Sequence, residues 1–376
     1  MIQISSNFDS GNIETISAKD PMNIRLNIRK DNGSDFYQWF HFRLTGAKNT
    51  SCSLAIENAN GAAYVEGWKD YSVVASYDRE HWFRIETDYQ SGVLHFEVTP
   101  EYDAIWFAYF APFSQERHQD LLAEAQGAER VNLLRLGSTL DGRDLDLLHF
   151  VGDGQAPRKK IWCIARQHPG ESMAEWWMEG FLSRITDETD PVVRELRRRA
   201  DLFVVPNMNP DGSFRGHLRT NACGANLNRE WLTPSMERSP EVFLVRQKMQ
   251  ETGVDFCLDV HGDEALAYNF IAGAEGTPSW NDQRGAQLAS FTKTYEQVSP
   301  DFQTKIGYQV SPPGTANMSM CTNWVAEEFK CLSMTLEMPF KDTEQTPDEE
   351  QGWSPERCHH LGSAMVDAIW ARFAGF

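Results

Sequence analysis

The chain contains no apolar run approaching the ~18 residues of a membrane-spanning helix. Its opening residues, Met1-Ile2-Gln3-Ile4-Ser5-Ser6, lack the basic stretch and apolar core of a secretory signal. Basic residues are scarce: 35 Lys and Arg stand against 54 Asp and Glu, a formal charge of −19. Such a surface repels phosphate backbones and anionic lipid headgroups, which argues against nucleic acid or a membrane as partner. The seven cysteines (52, 163, 223, 257, 321, 331 and 358) are odd in number, and no two are spaced Cys-x-x-Cys. Cys163 and Cys257 lie inside apolar strand patterns and read as small buried hydrophobes. These absences together predict a reduced, cytoplasmic setting. There is no internal repeat and no low-complexity segment.

What is present suffices for two domains: 376 residues, 41% of them apolar. Residues 1–115 read as all-β. Ile24, Leu26 and Ile28 alternate with Arg25, Asn27 and Arg29, the period of a half-buried strand, and Phe40, Phe42 and Leu44 repeat it. Further strands are predicted over Tyr71 to Ser76, His81 to Glu86, Val93 to Val98 and Ala104 to Tyr109, a spacing that suggests an antiparallel β-sandwich. From residue 116 to residue 376 strands alternate with longer helical patterns, the signature of an α/β domain. Strands are expected at Lys160 to Arg166, Leu202 to Pro206, Phe256 to His261 and Leu332 to Met338; the principal helices are expected at Met173 to Ile185, Glu241 to Gln250, Gln283 to Tyr295 and Ser354 to Phe373. In such sheets reactive groups collect beyond the carboxyl ends of the strands. His168, Asn207 and His261 fall at such ends, and Glu337 near another.

His168-Pro169-Gly170-Glu171 ends one apolar run and opens a helix, and His261 ends a second run, Phe256-Cys257-Leu258-Asp259-Val260. Two imidazoles and a carboxylate at strand-to-loop edges form the ligand set of a catalytic zinc ion, which keeps a fourth position open for water. His-x-x-Glu alone is a weak signal, since a loop histidine and a helix-start carboxylate look the same. Further partners strengthen it. Asn207-Met208-Asn209-Pro210-Asp211-Gly212 reads as a rigid turn, and Gly224-Ala225-Asn226-Leu227-Asn228-Arg229 offers an amide and a guanidinium suited to clamping a carboxylate. Glu337, inside the apolar strand Met334-Thr335-Leu336-Glu337-Met338, is either a buried ion-pair member or a general base with a raised pKa.

In this order the elements resemble zinc metallocarboxypeptidases of the carboxypeptidase A type. His168-Pro-Gly-Glu171, Leu227-Asn-Arg229 and the β-domain ahead of the catalytic one are most similar to the cytosolic, deglutamylase-like subgroup. The resemblance implies an α/β/α mixed-sheet catalytic domain. It implies one Zn2+ per chain on His168, Glu171 and His261, Glu337 as the acid–base residue, and Arg219 stabilising the oxyanion. It also implies Asn228 and Arg229 gripping the substrate's terminal carboxylate, with Tyr308 as the candidate capping tyrosine. The substrates implied are C-terminal tails of peptides or proteins ending in Glu or Asp. Lys330 and Arg215 are candidates for a basic specificity pocket. Gly170 stands where carboxypeptidase A has an arginine, and Asn226 where it has an aspartate that orients the first histidine. A zinc-dependent deacylase of acyl-amino acids and a catalytically silent peptide-binding protein are the alternatives. Arg194, Arg197, Arg198 and Arg199 read as a solvated helix face.

Overall fold

A computed structural model describes residues 1–374. Among these, ten short strands build the first domain: β1 (Gln3–Ser5), β2 (Glu14–Ser17), β3 (Ile24–Asn27), β4 (His41–Thr45), β5 (Cys52–Ile56), β6 (Val73–Ser76), β7 (Phe83–Ile85), β8 (Thr87–Gln90), β9 (Val93–Val98) and β10 (Ala104–Ala108). They form two five-stranded sheets, β1-β4-β10-β6-β7 and β2-β3-β5-β9-β8. All their pairings are antiparallel except β3 with β5. The alternation in the sequence sets the faces: Ile24 and Leu26 are fully buried while Arg25 stays in solvent. Phe42, Phe96 and Phe107 meet between the sheets, each ring adding about 1.5–3 kcal/mol of burial.

Helix α1 (Gln115–Gln126), capped by the Ser114 hydroxyl, leads into the second domain. Its strands are β11 (Val131–Ser138), β12 (Asp144–Phe150), β13 (Lys159–Ala165), β14 (Ala200–Val205), β15 (Phe256–Asp263), β16 (Phe270–Ala272) and β17 (Leu332–Pro339), in the order β11-β12-β14-β13-β15-β17-β16. The four inner strands run parallel and the outer ones antiparallel. The inner strands are covered on both faces, which is why they read as continuous apolar runs. In β13, Ile161, Cys163 and Ala165 pack on one side, with helices α2 (Met173–Ile185), α6 (Asp282–Val298) and α8 (Pro355–Phe373). Trp162 and Ile164 pack on the other, with α5 (Pro240–Thr252) and α7 (Cys321–Phe329).

The remaining helices are α3 (Pro191–Arg197) and α4 (Pro210–Arg215). The latter corrects the reading of Asn209-Pro210-Asp211-Gly212 as a turn. Asn209 caps a short helix by accepting from the Gly212 amide, with Pro210 in its first turn. The arginine run is also less solvated than expected: Arg197 is buried, bonded to the Ile185 carbonyl and paired with Glu188. No helix among the described residues is long and apolar enough to cross a membrane.

Candidate active site

The sheet delivers four side chains to one place. β13 runs out into His168-Pro-Gly-Glu171 just before α2, β15 carries His261, and β17 carries Glu337. His261 and Glu337 are register partners on adjacent parallel strands. His168 Nδ1 lies 2.7 Å from Glu171 Oε1, His261 Nδ1 lies 2.7 Å from Glu171 Oε2, and the two Nδ1 atoms are 3.2 Å apart. All three residues are buried, with one ligand atom from each lying within 4.8 Å of the others. Bonds of ~2.0–2.1 Å to a tetrahedral zinc separate two nitrogen donors by about 3.3 Å, so this set fits the ion. The outer nitrogens are held as well. His168 Nε2 faces Asn226 Oδ1 at 3.1 Å, and His261 Nε2 faces Asp259 Oδ2 at 3.0 Å. These contacts fix both rings with Nδ1 aimed inward.

Burial and the nearby Arg219 guanidinium lower the His168 pKa to about 4, which keeps the ring in its ligand form. At His261 burial also opposes charge, but the Asp259 and Glu171 carboxylates outweigh it and raise the pKa. Burial raises Glu337 well above the usual carboxylate range, against the pull of His261, and its Oε2 has no hydrogen-bond partner among the described residues.

Around this centre stand the other predicted residues. Asn228 and Glu337 line a cavity of about 170 Å³ together with Tyr308. The Asn228 carbonyl oxygen accepts from the Cys321 amide at 2.9 Å, which leaves its NH2 group to donate elsewhere. Arg229 is anchored by donating to the Asn228 backbone carbonyl at 2.6 Å. Arg219 lies close enough to Glu171, Glu264 and Glu337 to feel their charge. Tyr308 donates its hydroxyl to Asp263 at 2.6 Å and packs edge-on against Phe270, with half of its surface open to solvent. Two candidates are not brought here. Lys330 pairs with Glu327 at the exposed end of α7, and Arg215 forms a two-pronged pair with Asp141 at 2.8 Å. Each is held by its own local carboxylate, and neither lines the cavity.

Several contributors escaped the sequence reading. Asp259 sits two residues before His261 on the same face of β15, and strand periodicity would have found it. Gln167 donates to Asp259 at 2.6 Å and accepts from the Trp231 indole at 2.8 Å. Arg166, fully buried, donates to the Pro169 carbonyl at 2.9 Å and pairs with Glu175, which holds the ligand turn from behind. The first domain contributes too. Asp31 accepts from the backbone amides of Leu218, Arg219 and Thr220, while Phe36 and Tyr64 flank the Arg219 guanidinium at 5.6 and 5.3 Å.

Residues 119–356 match the zinc carboxypeptidase family, and residues 4–110 match the cytosolic carboxypeptidase N-terminal domain. The chain belongs to the zinc carboxypeptidases and carries the N-terminal domain of the cytosolic ones; it is a hydrolytic metallocarboxypeptidase. It is similar to an uncharacterised protein of Zymomonas mobilis, at 52% identity over 96% of this chain and 94% of that one. It is also similar to cytosolic carboxypeptidase 6 of Mus musculus, at 26% identity over 78% of this chain and 59% of the mouse protein. Among solved structures, a metallo-carboxypeptidase from Pseudomonas aeruginosa in complex with (2-guanidinoethylmercapto)succinic acid is 45% identical, with a TM-score of 0.96 over 98% of each chain.

Proposed function

We propose that the chain binds one zinc ion through His168, Glu171 and His261 and removes the last residue of peptides or proteins that end in a free carboxylate. The observation that carries this reading is the meeting of three buried donors beside a buried Glu337 whose Oε2 has no partner. Zinc bound there supplies a Lewis acid that polarises a carbonyl and lowers the pKa of water toward ~7. Glu337 in its carboxylate form, made more basic by burial, takes a proton from the attacking water and hands it to the leaving amine. Arg219 faces the charge that develops on the carbonyl oxygen, an interaction worth about 3–4 kcal/mol in comparable sites. The Asn228 NH2 group and the Arg229 guanidinium hold the substrate's terminal carboxylate. The Tyr308 hydroxyl, tethered to Asp263 at the rim, covers the cavity once a substrate is seated.

The Pseudomonas aeruginosa neighbour's ligand carries the carboxylates of a succinic acid, which suits this grip. We place the activity in the cytoplasm, in keeping with the cytosolic family of the N-terminal domain. The resemblance to deglutamylases carries an expectation of acidic C-terminal residues. The cavity does not favour it, since among the described residues no lysine, arginine or histidine lines it. The test is a set of peptides with free or amidated C-termini, incubated with zinc-loaded protein. Cleavage of the free-ended peptides alone supports the grip; equal cleavage of both sets refutes it.

A further inference from the structure

The cavity beside Asn228 and Glu337 is where the side chain of a gripped C-terminal residue must go. It is lined by the hydrogen-bonded hydroxyls of Thr322 and Thr335, 2.7 Å apart, and by Asn323 and Glu275. Apart from Glu337, Glu275 is the one charged residue among the described ones that lines it. Glu275 is partly buried, and among the described residues it accepts no hydrogen bond and pairs with no cation. Room has been made for it. A Cβ at Gly273 would stand 2.5 Å from Glu275 Oε2 and 2.4 Å from Leu288 Cδ2, so a side chain at 273 would push the carboxylate out of place.

A half-desolvated, unpaired carboxylate at the wall of a small cavity rejects anions and gains from a cation. Hydroxyl and amide oxygens nearby can accept the remaining N–H groups of an ammonium or guanidinium. Resting on the exopeptidase reading above, we infer that the substrates end in lysine or arginine and that Glu275 is the residue that selects them. The long aliphatic stem runs past Ile271 and Met320, and the charged head meets Glu275. The wall charge is opposite to what a glutamate-removing enzyme needs.

The experiment uses the full, zinc-loaded chain and N-blocked dipeptides ending in Lys, Arg, Leu or Glu, with kcat/KM measured for each. Lys and Arg ends are expected to exceed Glu ends by at least about tenfold, with Leu between them. In Glu275→Gln the Lys-to-Leu ratio is expected to drop by about tenfold, and in Glu275→Lys the preference is expected to turn toward Glu. Binding of the same peptides to zinc-loaded Glu337→Gln, followed by calorimetry, is expected to give the same order without turnover. Glu ends cleaved as fast as Lys ends, or an unchanged Lys-to-Leu ratio in Glu275→Gln, overturns the assignment while leaving the exopeptidase reading intact. Absence of turnover on all four ends overturns the exopeptidase reading itself, and this inference with it.

Discussion

Asp31, in the first domain, holds the backbone on which Arg219, in the second, is mounted. Its Oδ1 accepts from the Leu218 amide at 2.7 Å; its Oδ2 accepts from the Arg219 and Thr220 amides at 2.8 and 2.9 Å and from the Thr220 hydroxyl at 3.0 Å. Four donors on one buried carboxylate leave that loop little freedom. The N-terminal domain therefore mounts the loop of Arg219, the arginine proposed above to face the oxyanion.

Replacing Asp31 by alanine removes the mount without touching His168, Glu171 or His261, the proposed metal ligands. Backbone donors left unsatisfied cost about 1–3 kcal/mol each when buried. The expected result is a fall in kcat of roughly tenfold to a hundredfold with zinc content unchanged. Steady-state kinetics beside metal analysis decides the matter, and an Asp31→Ala protein with the parent's kcat would show that the loop holds its shape unaided.

Glu337→Gln keeps the shape of the side chain and removes its ability to carry a proton. We expect zinc binding to persist and turnover to drop by about 10² to 10⁴-fold. Metal analysis should still find one zinc per chain. Turnover within a factor of two of the parent would assign the base elsewhere.

The outer contacts of the two histidines differ in kind, with an amide on His168 and a carboxylate on His261. Asp259→Leu is expected to weaken zinc binding about 10- to 100-fold, and Asn226→Asp to tighten it by making the His168 ring more basic. Competition with a chelator measures both. Identical affinities in parent and Asn226→Asp would mean that a charge behind the first histidine adds nothing at this site.

Glu241, buried at the start of α5, is raised by desolvation from 4.5 to about 8, and its Oε1 has no partner among the described residues. The folded chain therefore holds this proton more tightly than the unfolded one. Its stabilising contribution is complete below pH 4.5 and disappears as the pH climbs toward 8. Glu241→Gln, which is neutral at every pH, should match the parent in mild acid and exceed it near pH 8.5 by about 1 kcal/mol or more. Thermal melts at both pH values test this. The same gap at both would mean that Glu241 does not titrate differently in the folded chain.

What was legible in the sequence follows the range of the interactions. His168 and His261 end apolar runs, so strand periodicity alone put them at one sheet edge, and Glu337 stood out as a charge in an apolar strand. The element pattern of the second domain was readable for the same reason: buried parallel strands carry unbroken apolar runs. Helix α4 was missed because Asn-Pro and Asp-Gly signal turns, and a cap followed by a single helical turn uses the same residues. Asp31 could not be found, since it is 187 to 189 positions from its partners and leaves no local pattern. Glu275 was invisible for a similar reason. Only the folded chain brings it to the cavity that Thr322 and Thr335 also line, whereas Lys330 and Arg215 attracted notice by charge and are neutralised locally.

The missing arginine at position 170 has a steric cause. The Gly170 amide donates to the Leu218 carbonyl at 2.9 Å, and a Cβ there would stand 2.9 Å from that same oxygen. The turn that carries His168 and Glu171 is thus pressed directly against the strap that carries Arg219. Whatever loosens one must jostle the other, so lesions at the domain seam should be felt as a leak of metal as well as a loss of rate.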